Sequence, residues 1–466
     1  MASTEEQIRT EVFRSKLPAL PKERVFNLTD HTFTTTAWSI ATWLFVMGAW
    51  QGFAAPLHLA IIATLFGCTV PLLFQSLLGR FFARWGVDVA FGARATYGPL
   101  GTKIVVLLFG VLPAWCWISI PAVMFGRAVN KITIGMGSTG LITNEFMWSF
   151  LCMALGLYIT YKGPDWMKWS FRFATPIMLI LIVAITVRML SEWGLSNILA
   201  IRPEGLNPDP YVSFIIAVEM ALGLGVSWLF QFGCYGRICK SESAAYYGTF
   251  IGWGILWAIL SIPAMFVALV AGAEDIVEGV SIIGGTWVMV YLFLLVIANP
   301  SSLATNGYLI SLTLRNFFPK LPWWLVVCSS FIVLLLVGFP VAYDSFASFI
   351  VLLAAATMSF AGVWVTDLLL RGSNVSLKDL YDESSKGGYW YWGGINWFAI
   401  ISAAIGTAIA FIIWNPVTQD IHLMGVFRVV GASIPAGVSA AMAYLIFSRL
   451  ILIPRKIGYP EIPWKK

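Results

Sequence analysis

Val212–Tyr235 reads VSFIIAVEMALGLGVSWLFQFGCY, and this stretch decides the architecture. Its length and apolarity suit a bilayer-crossing helix, which needs about 20 such residues. Two features argue against a plain anchor. Glu219 is the only acidic residue well inside any apolar span of the chain, and an ionisable group at membrane depth is costly and generally faces a pathway or a partner. Shortly after it, Gly223-Leu224-Gly225-Val226-Ser227 weakens the helix where lipid offers its backbone no substitute partner. A glycine-interrupted span predicts a broken helix whose freed backbone groups bind a solute or an ion near mid-membrane. Together the two features point to transport.

Working outward, this span is the sixth of twelve, which start near residues 33, 57, 104, 145, 170, 212, 244, 283, 322, 345, 396 and 426. The chain is 59% hydrophobic and only 11% charged, with mean hydropathy +0.82. A soluble domain of 466 residues could not hide that much apolar surface, so this is a polytopic membrane protein. Of the 29 Lys and Arg, all but Arg127, Lys131, Arg188, Arg202 and Arg428 fall on one side of a twelve-span topology. By the positive-inside rule both termini are cytoplasmic, in a multi-pass protein of the cell membrane. The net charge of +6 is then a topological bias and gives no reason to expect nucleic acid. Many of the 22 Trp sit near span ends (Trp85, Trp148, Trp166, Trp323, Trp324, Trp392) and read as an interfacial belt. The first span lacks a cleavage site and is expected to be retained. The six Cys have no metal-ligand spacing and read as buried thiols.

Soluble-enzyme signatures are missing: no P-loop, HExxH, paired-Cys or G-x-S-x-G pattern occurs, and His31, His58 and His422 lie at or outside span ends. A carrier driven by an ion gradient fits better than an ATP-driven pump or an enzyme. No cofactor is expected beyond the coupling ion, Na⁺ or H⁺. The expected partners are a small molecule and the lipid bilayer, and the protein is expected to act as a monomer.

Span one mixes Thr34-Thr35-Thr36-Ala37-Trp38-Ser39-Ile40-Ala41-Thr42-Trp43 with Gly48-Ala49-Trp50-Gln51-Gly52, so it resembles span six in its weak points. In carriers with an inverted five-helix repeat these two spans correspond, and matched interruptions mark a midplane site. The alternative is that small residues merely allow close helix packing. Span three carries Trp115-Cys116-Trp117-Ile118-Ser119-Ile120-Pro121, where a mid-span Trp could stack on a flat heterocycle or simply fill the core. Span eight carries Ala298-Asn299-Pro300-Ser301-Ser302-Leu303-Ala304-Thr305-Asn306-Gly307. Its amides suit the donor and acceptor edges of a lactam or imide, and its hydroxyls suit a hard cation; interhelical hydrogen bonding is the competing use. Glu219 lies roughly 10 Å into its span at 1.5 Å per residue. Burial there disfavours its charged form, which would serve proton exchange, although pairing with Arg127 or Arg188 would make it structural.

Two loops carry a family resemblance. Arg84-Trp85-Gly86-Val87-Asp88, continuing through Ala93-Arg94, Tyr97-Gly98 and Gly101, resembles the loop after the second helix of the nucleobase:cation symporter-1 family. Asp367, then Ser376-Leu377-Lys378-Asp379-Leu380-Tyr381, Tyr389, Tyr391, Gly394 and Asn396-Trp397 are similar to that family's tenth-to-eleventh connection. Gly163 and Pro176 sit where its fifth helix has them. The similarity runs from about residue 23 to 450 and is strongest to the hydantoin- and allantoin-type carriers.

The resemblance implies an all-α, leucine-transporter-like fold of twelve transmembrane helices, built as a 5+5 inverted repeat plus two C-terminal helices. Its parts would be a cytoplasmic segment 1–32, a transport core 33–391, two further helices over 392–450 and a tail 451–466. It also implies alternating access with cation symport. Trp117 falls on the indole that stacks on substrate, Asn306 on a substrate-contacting amide with Asn299 as its rival, and Thr42 near a substrate-side Gln. Trp38 belongs to the same broken segment. Ser301 and Ser302 fall near hydroxyls that complete a Na⁺ site with backbone carbonyls of the first-helix break, at Ile40 and Ala41. There are departures as well. Pro121 stands where hydantoin-type members have a hydrogen-bonding Gln, and Gly225 where helix six supplies a second stacking Trp. Pro300 replaces a cation-binding hydroxyl, and Cys234 an Asp. The expected site is therefore roomy and poor in hydrogen bonds, and Glu219 becomes the carboxylate of a proton-coupled variant. The function expected is import of a planar nitrogen heterocycle (a nucleobase, hydantoin, allantoin or a related compound) by Na⁺ or H⁺ symport, and two other readings stand beside it: a transport-incompetent sensor or scaffold on the same fold, and an amino-acid carrier of that fold.

Overall fold

The computed structural model describes residues 17–204, 206–333 and 346–460, and they are almost wholly helical. Among the described residues seven helices are long and apolar enough to cross a membrane: Leu57–Trp85, Pro99–Gly135, Trp169–Glu192, Glu242–Ala271, Gly285–Phe317, Ser348–Leu370 and Ser433–Leu452. Shorter apolar helices cover Pro210–Val226, Trp323–Ile332 and Trp397–Ile413. Leu28–Ser39 and Thr42–Ala54 form the first span in two pieces, and Glu145–Lys162 the fourth. The expected start of the tenth span, at 345, lies outside the described residues, as do 1–16 and 461–466 of the two tails.

The all-α expectation holds, with one short β element among the described residues. Trp414–Asn415 pairs antiparallel with Asp420–Ile421, making a two-residue ladder after the eleventh span. The twelfth span also starts later than its apolar run suggests. Met424–Val430 is a separate short helix, the chain turns at Gly431 (φ +69°), and the long helix begins at Ser433.

Exposed apolar side chains such as Phe173, Ile180, Val183 and Val187 line the outside of the fifth-span helix. In water such a stripe would demand a partner; against lipid it is the solvated face. Trp166, Trp324 and Trp392 are exposed, as an interfacial belt requires. Trp85 is pinned instead, its indole N–H donating to Ser373 C=O at 2.9 Å. Cys328 is exposed and Cys116 half-buried, so the buried-thiol reading holds for Cys68, Cys152, Cys234 and Cys239 only.

The two motif-bearing loops dock on each other. Gly98, at φ +80°, lies so close to Gly394 that a Cβ would come within 2.5 Å of its carbonyl oxygen. That carbonyl accepts from Leu100 N–H (2.9 Å) and Gly101 N–H (3.1 Å), while Asn396 donates to Thr96 C=O at 2.7 Å. Beside them Arg371 pairs with Asp367 at 2.7 Å, both side chains buried. Arg371 also donates to Ala95 C=O (2.8 Å) and Gly458 C=O (2.6 Å), while Thr96, Tyr444 and Tyr459 hydroxyls donate to the Asp367 carboxylate. A buried ion pair is tolerable when its remaining donors and acceptors are met in this way. Arg94 extends the network outward to Glu383 at 2.6 Å, which Lys103 also reaches at 3.1 Å. Burial alone would raise the Glu383 carboxyl, but these two cations outweigh it and hold it below the usual range.

Candidate substrate site

The first span breaks where its hydroxyls turn back on the helix. Thr36 Oγ1 donates to Thr32 C=O at 2.7 Å and Ser39 Oγ to Thr35 C=O at 2.7 Å, a pattern that loosens helical turns. Ile40 leaves the helix at ψ 71° and Ala41 is extended at ψ 178°. Ala41 N–H and the Trp43 indole both donate to Ser39 C=O, each at 3.0 Å, which closes the first half before the helix restarts at Thr42. Ile40 and Ala41, the expected cation ligands, are thus the two residues of the break, and both are buried.

The sixth span breaks later than its glycines suggest. Gly223 and Gly225 are helical, and the irregular stretch is Ser227–Gln231. A Cβ on Gly223 would lie 2.4 Å from Ile350 Cγ2, and Gly225 faces the carbonyls of Gly67 and Cys68. These glycines serve close helix approach, the use that small residues have in lipid. At Gly225 the contacts are looser, since a Cβ there would come no nearer than 3.4 Å to a neighbouring atom. Trp228, within the break, faces Trp117 with ring centroids 4.9 Å apart and planes at 33°. A second helix-six indole is therefore present, three residues on from where it was sought.

Around this pair lies a continuous aromatic cluster. Trp43 meets Trp117 edge-on at 5.5 Å, Trp38 meets Trp228 at 4.9 Å, and Trp253 of the seventh span meets Trp38 at 4.1 Å. All five indoles are at most 2% exposed. Sequence reasoning singled out Trp38 and Trp117 but missed Trp228 and Trp253. A Trp in mid-span was the available signal at both.

Helix Asn299–Phe317 lies along Leu112–Gly135. Asn299 donates to Pro121 C=O at 3.0 Å, so Pro121 contributes a backbone acceptor where a Gln side chain was the family pattern. Asn306 follows Asn299 by two helical turns, on the same face of that helix. Asn306 Nδ2 reaches only Ser302 C=O, at 3.4 Å. The side-chain oxygens of Asn299, Asn306, Ser302 and Thr42 are buried and have no hydrogen-bond partner among the described residues. Ser301 Oγ is directed to Ser170 C=O of the fifth-span helix at 3.4 Å, and that helix also packs on Leu28–Ser39. Hydroxyl and carbonyl oxygens of this kind suit a hard cation. Among the described residues no cluster of three His, Cys, Asp or Glu could hold a metal ion.

Gln231 bridges the breaks to the scaffold. The third span has a π-helical turn at Leu107–Val111, and Gln231 Nε2 donates to Gly110 C=O there at 3.0 Å.

Glu219 stands apart from all of this. Its carboxylate accepts Ala432 N–H (2.7 Å), Ser433 N–H (3.0 Å) and Ser433 Oγ–H (2.5 Å). It thereby caps the N-terminus of helix Ser433–Phe447, where unpaired amides and the helix dipole favour an anion. Neither arginine considered as its partner is near this role: Arg127 pairs with Asp275, and Arg188 with Glu192.

The model of a family described as permeases for cytosine/purines, uracil, thiamine and allantoin matches residues 22–432. A hydantoin permease of Microbacterium maritypicum is 25% identical over 411 residues, covering 83% of this chain and 81% of its own length. An allantoin permease of Bacillus subtilis (strain 168) is 24% identical over 425 residues, covering 84% and 82%. Among solved structures, a nucleobase-cation-symport-1 family transporter in a closed conformation with bromovinylhydantoin bound superposes with a TM-score of 0.78 at 21% identity. The match covers 94% of this chain and 96% of that one, so the two share a fold.

Proposed function

The chain belongs to this family of cytosine/purine, uracil, thiamine and allantoin permeases, and on that premise we propose that it imports a planar nitrogen heterocycle across the cell membrane by cation symport with alternating access. The observation that carries the reading is the facing pair Trp117 and Trp228, held at 4.9 Å beside two broken helices. A flat ring held between two indoles needs roughly 7 Å, two contact distances of about 3.5 Å. The pair is therefore closed on itself, and admitting substrate between the two rings requires the third and sixth spans to part. Coupling a gap in the site to a helix displacement is what alternating access demands.

Asn306 would read the polar edge of the ring, with Asn299 anchoring the eighth span to Pro121. Backbone oxygens at Ile40 and Ala41 with the hydroxyls of Ser301 and Ser302 would take the coupling cation, Na⁺, or be replaced in that role by H⁺. The architecture is a twelve-helix, 5+5 repeat over 33–391 followed by two further helices, with both termini cytoplasmic and the monomer as the working unit.

Uptake of radiolabelled cytosine, uracil, hydantoin and allantoin into proteoliposomes, under an imposed Na⁺ or pH gradient, tests this. Accumulation of at least one compound driven by one gradient, with affinity lost in Trp117→Ala, is the expected result. Uptake indifferent to both gradients, or binding without uptake, would reject the symporter and favour a sensor built on the same fold.

A further inference from the structure

The seventh span contributes a side chain that the heterocycle-carrier reading does not use. Trp253 sits inside a π-helical turn, Phe250–Leu256, and such turns displace side chains from their regular α-helical directions. This turn is pressed against the first half of span one: a Cβ on Gly252 would meet Thr35 Oγ1 at 2.1 Å. The close approach brings Trp253 to 4.1 Å from Trp38 and 5.4 Å from Trp228.

Three neighbouring indoles, Trp38, Trp228 and Trp253, each bury an Nε1–H without a hydrogen-bond partner. Stranding a buried donor costs about 1–3 kcal/mol, so three side by side are expensive unless something arrives to accept from them. Trp43, in the same cluster, does have its N–H satisfied, by Ser39 C=O. The stranded atoms also include the acceptors Asn299 Oδ1 and Asn306 Oδ1 on span eight and Gln231 Oε1 on span six. Among the described residues Trp38 and Trp253 thus offer unpaired donors on spans one and seven, and the amides of span eight offer unpaired acceptors.

We propose that Trp253 and Trp38 form, beside the stacking Trp228, a donor edge of the substrate site that selects a heterocycle carrying a lone-pair acceptor, either a ring nitrogen or an exocyclic carbonyl, and turns that edge toward spans one and seven. The N–H edge of the same ring then faces Asn306. Indole donors take over the hydrogen-bonding duty for which Pro121 has no side chain. The inference rests on the function proposed above and adds to it the orientation and acceptor requirement of the ligand.

The test is thermal-shift and equilibrium binding of matched ligands on the purified full chain. The pairs are cytosine against the deaza isostere that lacks its ring-nitrogen lone pair, and hydantoin against its weaker-accepting thiocarbonyl analogue. The expected result is a preference of about tenfold for the better acceptor in at least one pair, since one hydrogen bond of about 1.4 kcal/mol is a factor of ten. Trp253→Phe and Trp38→Phe, which keep the ring and remove the donor, should each bring that ratio toward one. Trp257→Phe, one turn along the same helix, should leave it unchanged. If one variant fails to fold the other decides, and equal wild-type affinity within every pair overturns the proposal without either. Equal affinity within every pair for the wild type, or a preference that survives both substitutions, overturns the donor edge while leaving the carrier reading intact. Binding of no heterocycle by the wild type overturns both.

Discussion

Replacing Glu219 separates a capping role from a proton-carrying one. In Glu219→Ala, Ala432 N–H, Ser433 N–H and Ser433 Oγ–H lose their acceptor, and the helix Ser433–Phe447 loses the anion at its N-terminus. Each stranded polar group costs about 1–3 kcal/mol, and lipid provides no water to replace the acceptor. A loss of roughly 3–6 kcal/mol follows, since the Ser433 hydroxyl can rotate toward a backbone carbonyl and recover part of its bond. Glu219→Gln keeps one side-chain oxygen able to accept both amides, as Oε1 does now, so its loss should be about 1–2 kcal/mol. The assay is thermal unfolding in detergent for both variants, together with the pH dependence of uptake for Glu219→Gln. The expected outcome is a marked fall in unfolding temperature for the alanine variant, a small one for the glutamine variant, and an unaltered pH profile. A glutamine variant of wild-type stability whose uptake no longer responds to a pH gradient would refute the reasoning and return Glu219 to the transport cycle.

Trp228→Ala removes half of the aromatic pair and should weaken heterocycle binding by roughly tenfold or more, at the scale of about 1–3 kcal/mol per stacked base; retained affinity by fluorescence titration would count against the site. Arg371→Ala leaves the buried Asp367 carboxylate without its cation, and breaking such a pair costs about 3–5 kcal/mol, so the variant should unfold earlier or express poorly. Arg371→Lys should rescue only part of this, because one ammonium cannot reach Asp367, Ala95 and Gly458 together. The Glu383 carboxyl is held below its ordinary value, so it binds protons more weakly in the folded state than in the unfolded one. Its contribution is fully present above the ordinary carboxylate range and is lost as pH falls through the depressed value; unfolding temperature should drop on acidification below about pH 4, less steeply in Glu383→Gln. As Glu383 is nearly half exposed, that difference should also shrink with added salt.

Much of this was legible in the chain because membrane helices advertise themselves through apolar length, and the first-span break through its clustered Thr and Ser. What eluded sequence reasoning has a common cause. A glycine such as Gly223 signals both a weak helix and a close contact, and only the position of Ile350 decides for contact. Glu219 could be placed in depth but not in partner, because its amides lie more than 200 residues away. Trp228 and Trp253 obey the rule that drew attention to Trp117, yet the glycine signal beside Trp228 masked it and the π turn around Trp253 leaves no mark in composition. The two loop motifs were readable as motifs, while their interlocking through Gly98, Gly394 and Asn396 is a long-range pairing that no local pattern encodes.

The interlocked loops also bear on how the protein is made. Asp367 and Arg371 are synthesised well before Tyr444, Gly458 and Tyr459, which complete their hydrogen bonds. Until those residues leave the ribosome, a carboxylate and a guanidinium wait with part of their shell supplied by water. Closure of that hub is then a late event in biogenesis, and a chain stalled or cleaved upstream of Tyr444 would present an open, hydrated ion pair. Quality-control machinery could distinguish that state from the finished carrier without ever inspecting the membrane-embedded helices.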